Sequence, residues 1–103
     1  MSLTPHRLEL LYFPECPHWT VADERLSEVA ERFGLSVEHR LVTTEEEAAL
    51  VAFSGSPRIL IDGVDPFTEP DQAVGLSCRM YRTPDGYAGS PTSEQIATAL
   101  ERE

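Results

Sequence analysis

The segment Cys16-Pro17-His18-Trp19 contains the first of two cysteines in this chain and places a histidine two residues after it. A thiol acts as a nucleophile or a metal ligand only as the thiolate, so its surroundings decide its chemistry. An apolar run precedes the segment and an amphipathic stretch follows it, which predicts a strand and then a helix that begins at Cys16. At that junction the sulfur would face unpaired backbone N–H groups and the positive end of the helix dipole, and both favour the thiolate.

Two neighbouring side chains act on Cys16 in opposite directions. A protonated His18 would stabilise the thiolate, whereas the carboxylate of Glu15 raises the pKa of the thiol. We expect a pKa somewhat below the unperturbed value of about 8.5. The alternative is a half-buried structural cysteine beside a surface histidine, and the measured acidity of the thiol distinguishes the two.

Cys78 is the second cysteine, and the sequence leaves its relation to Cys16 open. If Cys78 begins a strand parallel to the first strand, it lies at the opposite end of the sheet, too far for a disulfide, which needs Cα atoms within about 7 Å. The alternative is that the long loop 65–77 doubles back and brings Cys78 closer. Trp19 heads the apolar stripe of the first helix and is expected to pack against the sheet.

The elements that would position these residues follow from the spacing of apolar side chains. Strands are predicted over 7–13, 36–42, 59–61 and 78–82, and helices over 16–33, 48–53 and 96–100. A capping box at Thr44 precedes the second helix, and residues 83–86 form a turn. The chain of 103 residues is long enough for one domain, residues 1–103, with the element order βαβαββα.

This α/β order resembles the minimal thioredoxin-like fold, and two motifs strengthen the resemblance. Cys16-Pro17 stands between the first strand and the first helix, and Ser56-Pro57 directly precedes the third strand. The resemblance implies a central mixed four-stranded sheet flanked by three helices, with a cis Ser56-Pro57 bond opposite Cys16. Proline suits that place because X-Pro bonds adopt cis at modest cost, and a ring without N–H leaves the preceding backbone free to pair with an extended thiol substrate.

Further segments are similar to those of short thioredoxin-like proteins, some of which are labelled alkylmercury-lyase-like. These are Cys-Pro-x-Trp at 16–19, Gly-Ser-Pro at 55–57, Asp-Pro-Phe at 65–67 and Gly-Leu-x-Cys-Arg at 75–79. In addition, Cys-Pro-His matches three residues of the Cys-Pro-His-Cys motif of strongly oxidising members. The resemblance implies a group of catalytic residues: Cys16, Pro17, His18, Trp19 and Pro57. It also implies that Ser56 and Arg79 bind the substrate and that Cys78 is a possible second thiol.

The activity that this resemblance implies is thiol–disulfide exchange by a single reactive cysteine, with a protein or a small molecule as the thiol or disulfide substrate. An external thiol such as glutathione would be the reductant, and no bound cofactor or metal is expected. One alternative is a non-catalytic binding module. Another is a thiolate site for a soft metal or an organomercurial, although organomercurial cleavage needs two thiolates and an acid around one metal. Arg79 and Arg82 either bind an anion such as a glutathione carboxylate or are surface counter-charges.

Composition excludes several other classes of function. Eight basic against 18 acidic side chains give a formal charge of −10, which opposes binding to nucleic acid or to anionic membranes. No apolar run approaches the length of about 20 residues that a membrane helix needs, and we expect a cytoplasmic protein. Apolar residues in the loop 65–77 predict that at least Phe67 is buried, against the domain or a second copy, so monomer and homodimer both stay open.

Overall fold

Three helices and seven strands make up residues 6–51, 53–67 and 75–102, which are the residues that the computed structural model describes. In chain order they are β1 Leu8–Tyr12, α1 Trp19–Phe33, β2 Val37–Leu41, α2 Glu45–Leu50, β3 Ser54–Ser56, β4 Arg58–Ile61, β5 Gly75–Cys78, β6 Tyr81–Thr83, β7 Gly86–Ala88 and α3 Ser93–Arg102. The described residues therefore form a mixed α/β fold with three helices, as the apolar spacing predicts.

The central sheet has the order β2-β1-β4, and β1 lies in its middle, parallel to β2 and antiparallel to β4. Side chains of β1 alternate between two apolar layers because successive residues of a strand point to opposite faces. Leu8 and Leu10 lie in the larger layer with residues of β4, α1 and α3, whereas Leu11 lies in a smaller layer with Ala48 of α2 and with Phe53. Helices thus cover both faces of the sheet.

The segment predicted as a fourth strand, residues 78–82, does not form one continuous strand. Cys78 ends β5, which pairs in parallel with β3, and Tyr81 begins β6, which forms an antiparallel hairpin with β7. Between them the side chain of Arg79 turns into the interior, and the residue as a whole is 4% exposed. Among the described residues the central sheet consequently has three strands. The predicted turn over residues 83–86 is confirmed as the connection within the β6–β7 hairpin.

Helix α1 begins later than the sequence predicts, at Trp19 rather than at Cys16. The chain first makes a turn in which the Cys16 N–H donates to the Phe13 carbonyl at 3.0 Å, and His18 is the N-cap residue. Cys16 therefore lies before the helix and not at its cap. The end of α1 is as predicted, since Gly34 takes a left-handed conformation with φ of 69° that favours glycine.

Two further expectations concern the long loop and the peptide bond before β4. The Ser56-Pro57 bond is cis, as predicted. Phe67 is partly buried and packs against the larger apolar layer, while residues 68–74 of the same loop lie outside the described residues.

None of the helices described is long and apolar enough to cross a lipid bilayer.

One of the two bonds of the predicted capping box before α2 is present, the N-cap bond of Thr44, and it can be tested. The Glu47 N–H donates to Thr44 Oγ1 at 3.0 Å, and α2 has only six residues. Thr44→Ala removes this acceptor and should lower the free energy of unfolding by about 1 kcal/mol, the usual cost of losing an N-cap side chain. Urea unfolding measures the change. Thr44→Ser keeps the hydroxyl and should stay close to wild type, and equal losses in the two variants would contradict the capping role.

Candidate functional site

Cys16 and Cys78 form a disulfide, and their Cα atoms are 5.8 Å apart across a sequence separation of 62 residues. The expectation that Cys78 lies at the far end of the sheet is therefore wrong, and the alternative in which Cys78 comes close to Cys16 is confirmed. The reason is that β5 pairs with β3 instead of extending the central sheet, with Cys78 opposite Ser56. The partner thiol of Cys16 therefore lies at the end of β5, not three residues further along the chain, where Trp19 begins α1.

The two cysteines differ in their access to solvent. Cys16 is only 1% exposed, whereas Cys78 is an exposed residue. The Cys16 sulfur lies 3.7 Å from the Ser56 carbonyl oxygen, an acceptor for its S–H group in the reduced protein. Since a disulfide sulfur carries no proton, the expected acidity of Cys16 applies to the reduced protein and stays a prediction, but it loses the support of a helix N-terminus because Cys16 precedes the N-cap of α1.

Ser56 connects the segments on both sides of the disulfide. Its hydroxyl accepts a hydrogen bond from the Phe13 N–H at 2.9 Å, and its carbonyl accepts one from the Arg79 N–H at 2.8 Å. Ser56 is fully buried. These bonds join the segment between β1 and Cys16 to the end of β5. Substrate binding by Ser56 stays a prediction, and a substrate backbone that used this carbonyl would compete with Arg79.

Arg79 is buried rather than exposed, so its interpretation as a surface counter-charge is wrong. Its Nη1 donates to Asp65 Oδ2 at 2.7 Å, and its Nη2 donates to the Phe67 carbonyl at 2.6 Å. The side chains of Arg79 and Asp65 are 3% and 1% exposed. Anion binding by Arg79 stays a prediction, and it would require the anion to displace Asp65.

Pro57 and Tyr81 extend this buried polar region beneath the cis bond. The Tyr81 hydroxyl donates a hydrogen bond to the Pro57 carbonyl, and its ring lies under the Arg79 guanidinium, with 4.4 Å between Cζ and the ring centroid. Burial raises the pKa of Tyr81 well above its usual value. Sequence reasoning did not identify Asp65 and Tyr81 as part of the site. The only signal for Asp65 is the Asp-Pro-Phe segment that the family resemblance already contains.

The remaining predicted site residues lie on the turn and first residues of α1. Pro17 is exposed, and its carbonyl accepts from Thr20 Oγ1 at 3.0 Å. His18 is half-buried, and a side chain at Gly89 would overlap its ring. Trp19 stacks on Tyr12 with ring centroids 4.3 Å apart and packs against the larger apolar layer, which confirms its expected packing. Within the part of the chain that is described, no three His, Cys, Asp or Glu side chains converge as a metal site.

The buried hydroxyl of Tyr81 should make stability depend on alkaline pH. In the unfolded chain a tyrosine loses its proton near pH 10, while folded Tyr81 keeps it, so stability should fall as pH rises above about 10. The chain contains no lysine that would titrate in the same range. Urea unfolding from about pH 8 to about pH 10.5 should show a steeper loss for wild type than for Tyr81→Phe. Tyr87→Phe, at an exposed ring, is the matched control and should keep the wild-type slope, and identical slopes in all three proteins would contradict the argument.

Comparison with known proteins identifies no relative of this chain. The chain has no significant match to a protein-family model, to a curated protein or to a solved structure. The disulfide between a buried and an exposed cysteine, beside the cis Ser56-Pro57 bond, is the feature from which a function can be argued.

Proposed function

We propose that the protein is a thiol–disulfide oxidoreductase with a thioredoxin-like fold, which alternates between the Cys16–Cys78 disulfide and the dithiol. The observation that carries the proposal is the disulfide itself, because one of its cysteines is buried and the other is exposed. The exposed member gives a substrate thiolate access to the bond. The proposal departs from the expectation of a single reactive thiol at Cys16, because it makes the exposed Cys78 the sulfur that exchanges with the substrate and Cys16 its buried partner.

Several features of the backbone support the thioredoxin-like part of the proposal. The order β2-β1-β4, with one parallel and one antiparallel neighbour of β1, is a mixed sheet of the expected kind. Cys16 follows β1 and precedes α1, and the cis proline precedes β4. The pairing of β5 with β3 is a departure from a single four-stranded sheet. It is also the departure that brings Cys78 to Cys16.

Exposure assigns different roles to the two sulfurs during exchange. A substrate thiolate attacks the sulfur of Cys78, which forms a mixed disulfide and releases Cys16 as a thiolate. A second substrate thiolate then attacks the substrate sulfur of that mixed disulfide, which releases the Cys78 thiolate and a substrate disulfide. Two thiols are oxidised, the protein takes up two electrons, and the protons released by the substrate thiols are available to the two cysteines. With glutathione as the thiol, the same sequence regenerates the dithiol and releases oxidised glutathione; the reverse sequence, in which the dithiol reduces a substrate disulfide, returns the protein disulfide and two substrate thiols.

The order of attack can be read from trapped intermediates. Oxidised protein mixed with glutathione and iodoacetamide should give a species with glutathione on Cys78 and a carbamidomethyl group on Cys16, in at least about tenfold excess over the reverse arrangement. Peptide mapping by mass spectrometry identifies the two species. Without glutathione neither cysteine should be alkylated, because both are in the disulfide. Glutathione found mainly on Cys16 would contradict the assigned roles.

Turnover tests the proposed function directly. With glutathione as reductant, the protein should reduce a small disulfide faster than glutathione alone, and Cys16→Ser and Cys78→Ser should each lose at least about tenfold of that rate. Tyr87→Phe, at an exposed ring of β7, leaves both cysteines in place and serves as a matched control with near wild-type turnover. If wild type shows no turnover but the reduced protein binds one mercuric ion through both sulfurs, the soft-metal alternative would replace this proposal.

A further inference from the structure

The geometry points to Asp65 and Arg79 as positioning residues for Cys78. Their buried ion pair holds Cys78 opposite Cys16 in the reduced protein and thereby raises the equilibrium constant for forming the disulfide. This inference rests on the proposed function, because it assumes that the reduced protein is one of two working states.

Arg79 directly follows Cys78 in the chain, so its position limits where Cys78 can go. Adjacent Cα atoms are about 3.8 Å apart across a trans peptide bond. The Arg79 N–H is bonded to the Ser56 carbonyl, and its guanidinium is bonded to Asp65 and to the Phe67 carbonyl. Both the backbone and the side chain of Arg79 are therefore fixed by contacts that do not involve the disulfide.

Asp65 is itself held by groups outside β5. Its Oδ1 accepts from the Phe67 N–H at 2.8 Å, and its Oδ2 accepts from Arg58 Nε at 3.3 Å. Arg58 belongs to β4 of the central sheet, and its Nη1 donates to the Val51 carbonyl at 2.9 Å. The ion pair thus connects the residue after Cys78 to the central sheet.

Burial makes this connection persist when the disulfide is reduced. The Arg79 guanidinium lies over the Tyr81 ring, and Phe67 packs edge-on against the same ring with centroids 5.6 Å apart. If Arg79 left this site, the buried carboxylate of Asp65 would lose the closer of its two guanidinium partners, which is unfavourable. Reduction removes the covalent bond between the sulfurs but none of the contacts of Arg79, so Cys78 should stay close to Cys16.

The chemical consequence is a high effective concentration of one thiol at the other. The reaction is dithiol plus oxidised glutathione giving protein disulfide plus two reduced glutathione molecules. If Cys78 is already held near Cys16, little conformational entropy is lost when the bond forms, and the equilibrium favours the disulfide. If Cys78 is loosened, the same bond must order the end of β5, and the equilibrium moves towards the dithiol.

The experiment measures this equilibrium constant for wild type, Asp65→Asn, Arg79→Gln and Arg79→Lys in a series of glutathione buffers, with acid quenching and mass spectrometry. Asp65→Asn and Arg79→Gln should lower the constant by at least about tenfold. Arg79→Lys keeps the charge but loses the planar fork, so it should lie between these variants and wild type. Arg32→Gln, at an exposed arginine in the last turn of α1, is the matched control and should stay within about twofold of wild type.

Urea unfolding of the oxidised and reduced forms of each variant separates positioning from a merely structural role. A structural role lowers the stability of both forms equally and leaves the glutathione constant unchanged, and that result would overturn the inference. Should Asp65→Asn and Arg79→Gln fail to fold, Arg79→Lys decides the matter, since a wild-type constant in it would also overturn the inference. The constant is measured without any substrate. If the variants lower the constant but wild type shows no turnover, the proposed function is therefore refuted and the positioning role remains supported.

Discussion

The buried carboxylate of Asp65 is the constraint around which the second half of this protein is arranged. Its side chain is 1% exposed, and removing one partner of a buried ion pair costs about 3 to 5 kcal/mol in proteins. The chain compensates the charge with the guanidinium groups of Arg79 and Arg58 and with the Phe67 N–H. These groups come from the end of β5, from β4 and from the segment after β4, so satisfying one carboxylate brings three segments together.

The disulfide depends on this arrangement through Ser56. When Arg79 is held by Asp65, its N–H reaches the Ser56 carbonyl and β5 lies along β3, with Cys78 opposite Ser56. On the other side the Ser56 hydroxyl accepts from the Phe13 N–H, which fixes the turn that contains Cys16. Both cysteines are thus placed by hydrogen bonds to one buried residue, and the ion pair contributes by holding β5 in register with β3.

Local signals account for the features that the sequence predicts well. Each of these features depends on a few neighbouring residues. They are the extent of β1 and β2, the end of α1 at Gly34, the N-cap at Thr44 and the cis bond at Pro57. The pairing of β3 with β5 has no such local signal. The three residues of β3, Ser54–Ser56, are Ser and Gly only and show no apolar alternation. The burial of Arg79 is equally invisible in sequence, since its partner Asp65 is 14 residues away and an arginine in an acidic chain normally lies at the surface.

Placing the second thiol in β5 rather than in α1 changes what reduction does to the fold. In the chain-entropy model, a cross-link across 62 residues stabilises the folded state by about 4 kcal/mol, whereas one within a four-residue Cys-x-x-Cys motif contributes about 2 kcal/mol. Reduction of Cys16–Cys78 therefore removes more stability than reduction of a helical pair would. A protein that uses this bond for exchange needs other contacts to keep β5 in place while the bond is open. The charge-assisted hydrogen bonds between Arg79 and Asp65 can keep β5 in place while the disulfide is open. They are buried, they join two guanidinium nitrogens to the two carboxylate oxygens, and they do not depend on the redox state of the sulfurs.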